Sequence, residues 1–456
     1  MATPPGGTHH PRVAPRRTPG ADTWAGQWRY GLLGLPLAFV ALPLYVHLPH
    51  LYASRYGMSL AALGTVLLLT RLFDALIDPW LGQLGDRLQA RSPQAVLRAG
   101  AVAAALLLVG MGLLFFPPWS QPGTPQRLLP VLVLTCTAYS LLTIAHQAWG
   151  ARLGGDEAQR ARIVAWREGA ALLGVVLASV LPHWLGWDVW ITVFAIALAL
   201  GWLAWHHGPA PAASSTPQPQ PGPRVPAYPT GQPPRSGVLQ PWCQPPFRRL
   251  IGVFMLNGLA SAIPATLVLF FIQDRLAAPQ LQPLFLALYF TAAAASLPLW
   301  MRCVGRWGLA RSWLGGMLLS VAVFAWAATL SAGDTLGFGG ICILSGMALG
   351  SDLALPSALL AKLVAQRESS DHSQGAYFGW WNLANKLNLA LAAGLALPLL
   401  EHLGYLPGTA SAQGLQALTL AYAVVPCALK LLAAGALYLG WVRFPWAPPA
   451  PRPIYE

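Results

Sequence analysis

The chain has 456 residues, of which 55% are hydrophobic and only 9% are charged, and its mean hydropathy is +0.51. Soluble globular domains carry about 25% charged residues, so this composition excludes a soluble protein of this size. The apolar residues fall in blocks of about 20, the length at which a helix spans a bilayer. The composition therefore predicts an all-α membrane protein.

The formal net charge is +13, but the basic residues lie in short connections between the apolar blocks. They form no stripe interleaved with aromatic residues, so we expect no nucleic-acid partner. The five cysteines include no CxxC pair, which argues against disulfides and against a structural metal. The partners that remain are the lipid bilayer and a small-molecule solute.

In chain order, residues 1–25 are rich in Pro, Gly and Arg and are predicted to be a disordered tail without a signal peptide. Six apolar blocks make up a first half, 26–207, and a Pro-rich flexible linker follows at 208–246. Six more blocks make up a second half, 247–443, before a Pro-rich tail at 444–456. The predicted helices 1 to 12 are 27–52, 59–82, 96–116, 128–151, 164–183, 186–206, 247–272, 280–301, 309–331, 337–361, 374–400 and 414–442.

Two halves of six helices joined by a hydrophilic linker are typical of transporters that bind solute between the halves, near the membrane midplane. With the N-terminus in the cytoplasm, 22 of the 28 Lys and Arg residues lie on the inner side and three lie in outer loops. The positive-inside rule therefore predicts that both termini and the linker are cytoplasmic, in a bacterial-type inner membrane. We expect a monomer.

Ionisable side chains inside spanning helices cost roughly 2.5–3.5 kcal/mol each, so each of them needs a partner or a function. In predicted helix 2, Arg71, Asp74 and Asp78 are spaced by three and four residues and share one face. Arg71 is the expected charge partner of Asp74. The two carboxylates could hold Na⁺ as a metal site or share a proton, and the alternative is a salt-bridged cluster that only locks helices together.

Lys386 lies about twelve residues into predicted helix 11, too deep to reach the membrane surface easily. We expect this ammonium to pair with the acids of helix 2 across the interface between the halves. Lys430 in predicted helix 12 is a weaker candidate of the same kind. Trp381 and Asn385, in the same helix as Lys386, could contact the solute.

Other candidate solute ligands are Asp352, His146, Trp149 and Arg167. Asp352 lies just before Pro356, which is expected to interrupt helix 10, and interrupted helices often form transporter sites. His146 and Trp149 could provide hydrogen bonding and stacking in helix 4. For His146 the alternative is a buried histidine bonded to backbone, and for Arg167 it is an interfacial arginine at the start of helix 5.

Gly82, Gly85, Asp86 and Arg87 are predicted to form a tight turn between helices 2 and 3. Such a turn can clamp helix ends through charge pairs and caps, so we interpret it as a conformational latch.

The segment Arg71–Pro79 closely resembles the helix 2 motif of the glycoside–pentoside–hexuronide:cation symporters, a branch of the major facilitator superfamily. The resemblance implies a cation site at Asp74 and Asp78, with Lys386 close to it and Arg167 near the sugar. The turn at Gly82 resembles the loop signature of the superfamily. The family's sugar-binding acids are not evident: 35–48 holds no carboxylate, helix 4 offers His146, and Lys362 and Gln366 stand where relatives often carry acids.

These observations favour Na⁺- or H⁺-coupled symport of a small solute, a sugar or glycoside if the resemblance extends to the substrate. The missing sugar acids and the 20 tryptophans leave proton-coupled efflux, or lipid or amphiphile transport, as an alternative. A non-transporting membrane sensor or assembly factor is the alternative from another class. We expect no enzyme, because no Ser/His/Asp or metal-ligand constellation occurs at one depth, and no cofactor besides the coupling ion.

Overall fold

The structure is a computed structural model that describes residues 20–48, 51–52, 55–56, 58, 60–118, 125–211, 237–365, 374–405 and 411–443. These residues are almost entirely helical and contain no strand. Residues 1–19, 212–236 and 444–456 lie outside the described part, so most of the predicted tails and linker remain predictions.

The described residues form twelve long helical elements, with α1 divided into three consecutive segments. Six precede the linker and six follow it, as the sequence predicts. They are α1 (Trp24–Gly31, Gly34–Leu42 and Pro43–His47), α2 (Leu60–Arg91), α3 (Pro93–Phe115), α4 (Pro125–Arg152), α5 (Glu157–Trp184), α6 (Gly186–His206), α7 (Pro245–Arg275), α8 (Gln282–Trp307), α9 (Leu309–Ala327), α10 (Thr335–Ala365), α11 (Gln374–His402) and α12 (Ala412–Arg443).

Among the described residues, eight of these helices are long and apolar enough to cross a membrane by those criteria alone. The other four are α1, which is broken into short segments, and α2, α5 and α11. These last three carry Asp74 and Asp78, Arg167 and Lys386. Three of the four helices that do not meet these criteria therefore carry candidate functional charges, whereas Asp352 lies on α10, which does meet them.

Buried apolar residues form one cluster within each half and a third cluster shared by both. The shared cluster joins Leu81, Ala151 and Ala161 of the first half to Leu309 and Phe378 of the second. All five lie near the end of the bundle at which α2 ends and α5, α9 and α11 begin. We call this the closed end, because the two halves pack against each other there.

Gly82 lets α2 and α11 approach closely at the closed end. A Cβ atom on Gly82 would lie 2.1 Å from the carbonyl oxygen of Gly375, and one on Gly375 would lie 2.2 Å from the carbonyl oxygen of Gly82. No side chain fits in either position without displacing one helix. The contact between the halves therefore involves their backbones.

Two local predictions are wrong. Residues 82–87 are not a turn, because α2 continues to Arg91 and the chain turns at Ser92, whose side chain caps α3 by accepting from Ala95 N. Gly82 serves the close approach to α11 rather than a bend. Pro356 does not interrupt α10, which continues to Ala365; membrane helices tolerate a proline when neighbouring groups satisfy the backbone.

The described ends of the linker contact both halves. Trp149 of α4 donates from Nε1 to the carbonyl oxygen of Pro209 at 3.0 Å. Trp380 of α11 donates from Nε1 to the carbonyl oxygen of Val238 at 2.7 Å, and a short 3-10 helix, Gln240–Cys243, then leads into α7. Each end of the linker is thus attached to a different half.

Candidate functional site

A charged cluster joins the two halves through α2, α4 and α11. Asp74 and Asp78 are one turn apart on α2, so both face α4 and α11. They are 3% and 0% exposed, and Ser140 of α4 is 1% exposed. Lys386 enters the cluster from α11. Burial of two carboxylates at this depth requires compensation by a positive charge.

The ammonium of Lys386 lies between the two carboxylates. Its Nζ is 2.7 Å from Asp74 Oδ2 and 2.8 Å from Asp78 Oδ2. It also donates to Ser140 Oγ at 2.9 Å, and Ser140 Oγ donates to Asp74 Oδ1 at 2.7 Å. The expected contact between Lys386 and the helix 2 acids is therefore present, and it crosses from one half to the other.

The oxygen atoms around Lys386 Nζ suit a small cation. Two carboxylates and a hydroxyl are hard ligands of the kind that Na⁺ prefers, and two acids one helical turn apart can also share a proton. The three charged side chains sum to one negative charge. Lys386 contacts both acids. Arg71 is exposed on α2, and its expected pairing with Asp74 stays a prediction. The assignment of Asp74, Asp78 and Lys386 to cation coupling stays a prediction.

Ser140 is a member of this cluster that the sequence analysis does not identify. A serine in an apolar helix is common, because its hydroxyl can bond within its own helix. Only the packing of α4 against α2 and α11 distinguishes Ser140 from other hydroxyl residues.

His146 lies between α1 and α4, within the first half. Its Nε2 is 2.9 Å from the carbonyl oxygen of Tyr30, and the Tyr30 hydroxyl donates to the carbonyl oxygen of His146 at 3.1 Å. The two rings stack with centroids 4.3 Å apart. This geometry matches the alternative interpretation of His146, a buried histidine that is hydrogen-bonded to the backbone. Trp149, one turn on, packs against Trp205.

Arg167 is buried in α5 and donates to the Glu168 carboxylate from Nε at 3.0 Å and from the terminal guanidinium nitrogen at 2.5 Å. It lines a small cavity, about the size of one water molecule, to which both halves contribute. The other lining residues are Tyr30, Gln147, Gly150, Ala151, Arg160 and Val164 from the first half and Ser357, Ala361 and Phe378 from the second. Polar side chains from α4, α5 and α10 thus meet at the interface between the halves.

Asp352 belongs to a separate network inside the second half. Lys430 Nζ lies 2.8 Å from Asp352 Oδ2, and Trp313 Nε1 donates to Asp352 Oδ1 at 3.0 Å. Ser261 Oγ contacts both Lys430 and Asp352. This network ties α7, α9, α10 and α12 together.

Trp381 and Asn385 are on α11, near Lys386. Trp381 stacks on Phe254 of α7 with ring centroids 3.7 Å apart, and it is buried. Asn385 is exposed. The solute-binding roles predicted for these two residues, and for His146, Trp149, Arg167 and Asp352, stay predictions.

Asp86 connects the end of α2 to the start of α11. Its two carboxylate oxygens accept from Gly375 N at 2.6 Å and from Ala376 N at 2.9 Å. Arg152 at the end of α4 forms an ion pair with Asp86 at 2.8 Å. Because the first amides of a helix lack partners within it, Asp86 caps a helix of the opposite half. Of the other predicted latch residues, Gly82 touches α11 and Arg87 is exposed, while a Cβ on Gly85 would meet no atom within 4 Å.

Two six-helix halves that close at one end around buried charges define a transporter fold of the major facilitator type. A family model described as "MFS/sugar transport protein" matches residues 29–440. The chain therefore belongs to this family, which consists of membrane transporters and not of enzymes.

Two curated proteins of Escherichia coli (strain K12) are similar to part of the chain. A putative glycoside/cation symporter, YagG, is 28% identical over 153 residues, 33% of each protein. The inner membrane symporter YicJ is 29% identical over 132 residues, 28% of each protein. Each match spans a third or less of the curated relative.

Solved structures with the same fold cover nearly the whole chain. A bacterial homologue of the iron transporter ferroportin, in an outward-facing state, has a TM-score of 0.66 at 16% identity and covers 91% of this chain and 98% of that one. The E. coli fucose:proton symporter FucP has a TM-score of 0.62 at 12% identity and covers 90% and 97%. At these identities the likeness concerns the fold alone.

Proposed function

We propose that this protein is a secondary transporter that couples Na⁺ or H⁺ to symport of a small solute, a sugar or glycoside. The observation that carries the proposal is the position of Lys386, whose ammonium from one half is held between Asp74 and Asp78 of the other. The partial similarity to YagG, a putative glycoside/cation symporter, supports the substrate class, and the partial similarity to the symporter YicJ supports symport.

The same contacts suggest how an ion is coupled to movement of the halves. With no cation bound, Lys386 neutralises one of the two negative charges of Asp74 and Asp78 and connects the two halves. A cation at Asp74 and Asp78 competes with this ammonium and neutralises the remaining negative charge. Ion occupancy then changes the strength of a contact that must rearrange during alternating access, which is the physical requirement for coupling.

We propose that the solute binds between the halves where Tyr30, Gln147, Arg167 and Ser357 line the interface cavity, which has room for about one water molecule in this structure and must widen to admit a solute. Both halves supply its walls, so movement of the halves changes its size and access. Its guanidinium, amide and hydroxyl groups suit hydroxyl groups of a solute. Because one chain provides both halves, we propose that a monomer is the transport unit.

We propose that the closed end faces the cytoplasm and that the protein is therefore outward-facing. The charge distribution supports this orientation, since 22 of the 28 Lys and Arg residues then lie on the inner side. The proposed location is a bacterial-type inner membrane, which the similarity to the inner membrane symporter YicJ supports, and the charge distribution supports cytoplasmic termini.

The experiment is a thermal-shift screen of purified protein against sugars and amphiphiles, with and without Na⁺ and at two pH values. A ligand that binds the native state raises the melting temperature. Asp78→Asn, which leaves Asp74 and Lys386 paired, is the test variant. The control is the double variant Asp352→Asn with Lys430→Met, because it removes an acid together with its lysine partner within one half.

We expect a sugar whose stabilisation requires Na⁺ or low pH, is lost in Asp78→Asn and persists in the double variant of Asp352 and Lys430. Stabilisation by amphiphiles alone, without a response to Na⁺ or sugar, would contradict sugar symport and favour proton-coupled efflux or amphiphile transport. Solute uptake in proteoliposomes then distinguishes a transporter from a non-transporting sensor, because a sensor catalyses no solute uptake.

A further inference from the structure

The closed end contains a second carboxylate that crosses between the halves. Glu157 is the first residue of α5, and its Oε2 accepts from Leu309 N, the first amide of α9, at 2.9 Å. Its Oε1 pairs with the ammonium of Lys362 near the end of α10. Three residues further along α5, Arg160 donates to the carbonyl oxygen of Ala361 at 2.8 Å. Every one of these contacts joins the first half to the second.

The start of α9 depends on Glu157 for a cap. The residue before Leu309 is Gly308, which has no side chain to accept from the first amides of the helix, and its φ of +80° disfavours any other residue. A carboxylate at a helix N-terminus is stabilised by hydrogen bonding and by the helix dipole. Glu157 supplies this carboxylate from the opposite half.

Glu157 differs from Asp86 in where its basic partner lies. Asp86 caps α11 of the second half, but it pairs with Arg152 of its own half. Glu157 has both its cap and its basic partner, Lys362, in the second half. Separation of the halves at the closed end therefore breaks both contacts of Glu157, whereas Asp86 can keep its ion pair.

We propose that Glu157 is a positioning residue that, with Lys362 and the start of α9, forms a second latch that holds the closed end shut. The latch acts on α5, the helix that also carries Arg160 and Arg167 into the interface cavity. It acts separately from Asp86 and from the cation cluster. The inference rests on the proposed function only in assuming that the halves move apart at this end during transport.

The test measures the closed fraction directly. Spin labels are placed at Arg87→Cys and Arg306→Cys, two exposed positions at the closed end on opposite halves, after replacement of the five native cysteines. Pulsed dipolar spectroscopy then gives the populations of short and long distances without solute or coupling ion. The variants are Glu157→Ala, Glu157→Gln and Lys362→Gln. Asp156→Asn is the matched control, because Asp156 caps only its own helix by accepting from Gln159 N.

We expect Glu157→Ala to reduce the ratio of closed to open molecules about tenfold, the effect of losing one charge-assisted hydrogen bond and one partly exposed ion pair. Glu157→Gln and Lys362→Gln should have smaller effects, and Asp156→Asn should have none. The exchange Glu157→Lys with Lys362→Glu should restore the ratio only in part, because a lysine cannot accept from Leu309 N.

An unchanged distance distribution in Glu157→Ala, in a preparation where Asp86→Ala shifts it, would overturn the proposal. A cooperative thermal unfolding transition in detergent, measured on the same variants, shows that they are folded. Because the distances are recorded without solute, this result is independent of whether sugar symport is correct.

Discussion

Lys386 of α11 and Asp78 of α2 form an ion pair across the interface of the two halves, with 2.8 Å between Nζ and Oδ2. The same ammonium contacts Asp74. The pair therefore makes the contact between the halves depend on the charge of the acids.

Substitution of Lys386 should be worse than substitution of one acid. Lys386→Met leaves two buried carboxylates without compensation, whereas Asp74→Asn leaves a balanced pair of Asp78 and Lys386. We expect Lys386→Met to destabilise the protein by about 3–5 kcal/mol and the double variant with Asp74→Asn to be less affected. Thermal unfolding in detergent checks the order, which would be contradicted by equal losses in the single and double variants.

Ser140→Ala should weaken cation binding. The substitution removes the hydroxyl that donates to Asp74 and accepts from Lys386, which leaves buried polar atoms unpaired at a cost of about 1–3 kcal/mol. We expect the cation Kd to rise about tenfold or more, as measured by titration of the thermal shift with Na⁺ or H⁺. Ser140→Thr keeps the hydroxyl and is the control. A loss of the same size in both variants would indicate that packing, not the hydroxyl, is responsible.

Asp352 and Lys430 should matter for stability more than for coupling. Each single substitution, Asp352→Asn or Lys430→Met, leaves one buried charge unpaired and should cost about 3–5 kcal/mol, while the double substitution should recover much of this loss. Ion-dependent sugar stabilisation, normalised to folded protein, should persist in the double variant. Loss of this stabilisation in the double variant would indicate that Asp352 takes part in ion coupling or in solute binding.

Gly82→Ala should open the closed end, because the new Cβ would lie 2.1 Å from the carbonyl oxygen of Gly375. Gly85→Ala is the control, since its Cβ would meet no atom within 4 Å and alanine favours a helix by about 1 kcal/mol over glycine. Distances between labels at Arg87 and Arg306 should lengthen in the first variant and stay unchanged in the second. Identical distributions in the two variants would mean that the contact at Gly82 accommodates the added methyl group without separating the halves.

The fraction of closed molecules should also depend on pH through Glu157, the first residue of α5, which lies outside the apolar span. Burial alone would raise its pKa, but the hydrogen bonds from Lys362 and Leu309 N and the charge of Arg160 outweigh burial and lower it below the ordinary 4.5. Because the pKa is lower in the closed state, the contribution of Glu157 is complete above about pH 4.5 and is lost as pH falls below that value.

The measurement is the closed fraction at a series of pH values, with Glu157→Gln as the reference. The difference between the two proteins should be constant near neutral pH and shrink in acid. A difference that grew as pH fell would contradict the sign of the shift.

Much of this architecture is predictable from the sequence, because the hydrophobic blocks and the spacing of Asp74 and Asp78 are local features. The depth of Lys386 in an apolar helix also predicts a buried partner, since a lone ammonium there would be unstable. Ser140 and Glu157 are different. The partners of Ser140 are on two other helices, and one partner of Glu157 is a backbone amide 152 residues away in sequence, so no short pattern reveals either.

The two wrong local predictions have a common physical origin. Gly82 and Pro356 are residue types that often end helices, but each is compatible with a helix when its surroundings allow it. The glycine at 82 admits a neighbouring backbone, and α10 accommodates Pro356 within its continuous span. Residue type alone does not distinguish a close contact from a turn.

The carboxylates of both crossing contacts at the closed end, Asp86 and Glu157, belong to the first half, and both helix starts that they cap belong to the second. The halves therefore share a fold without being interchangeable at this surface. In a hypothetical carrier assembled from two copies of the first half, carboxylates would face carboxylates at this surface and repel each other. In one assembled from two copies of the second half, two helix N-termini would lack caps. Any ancestral duplication of a six-helix unit would have required these surfaces to diverge before the joined protein could close as this one does.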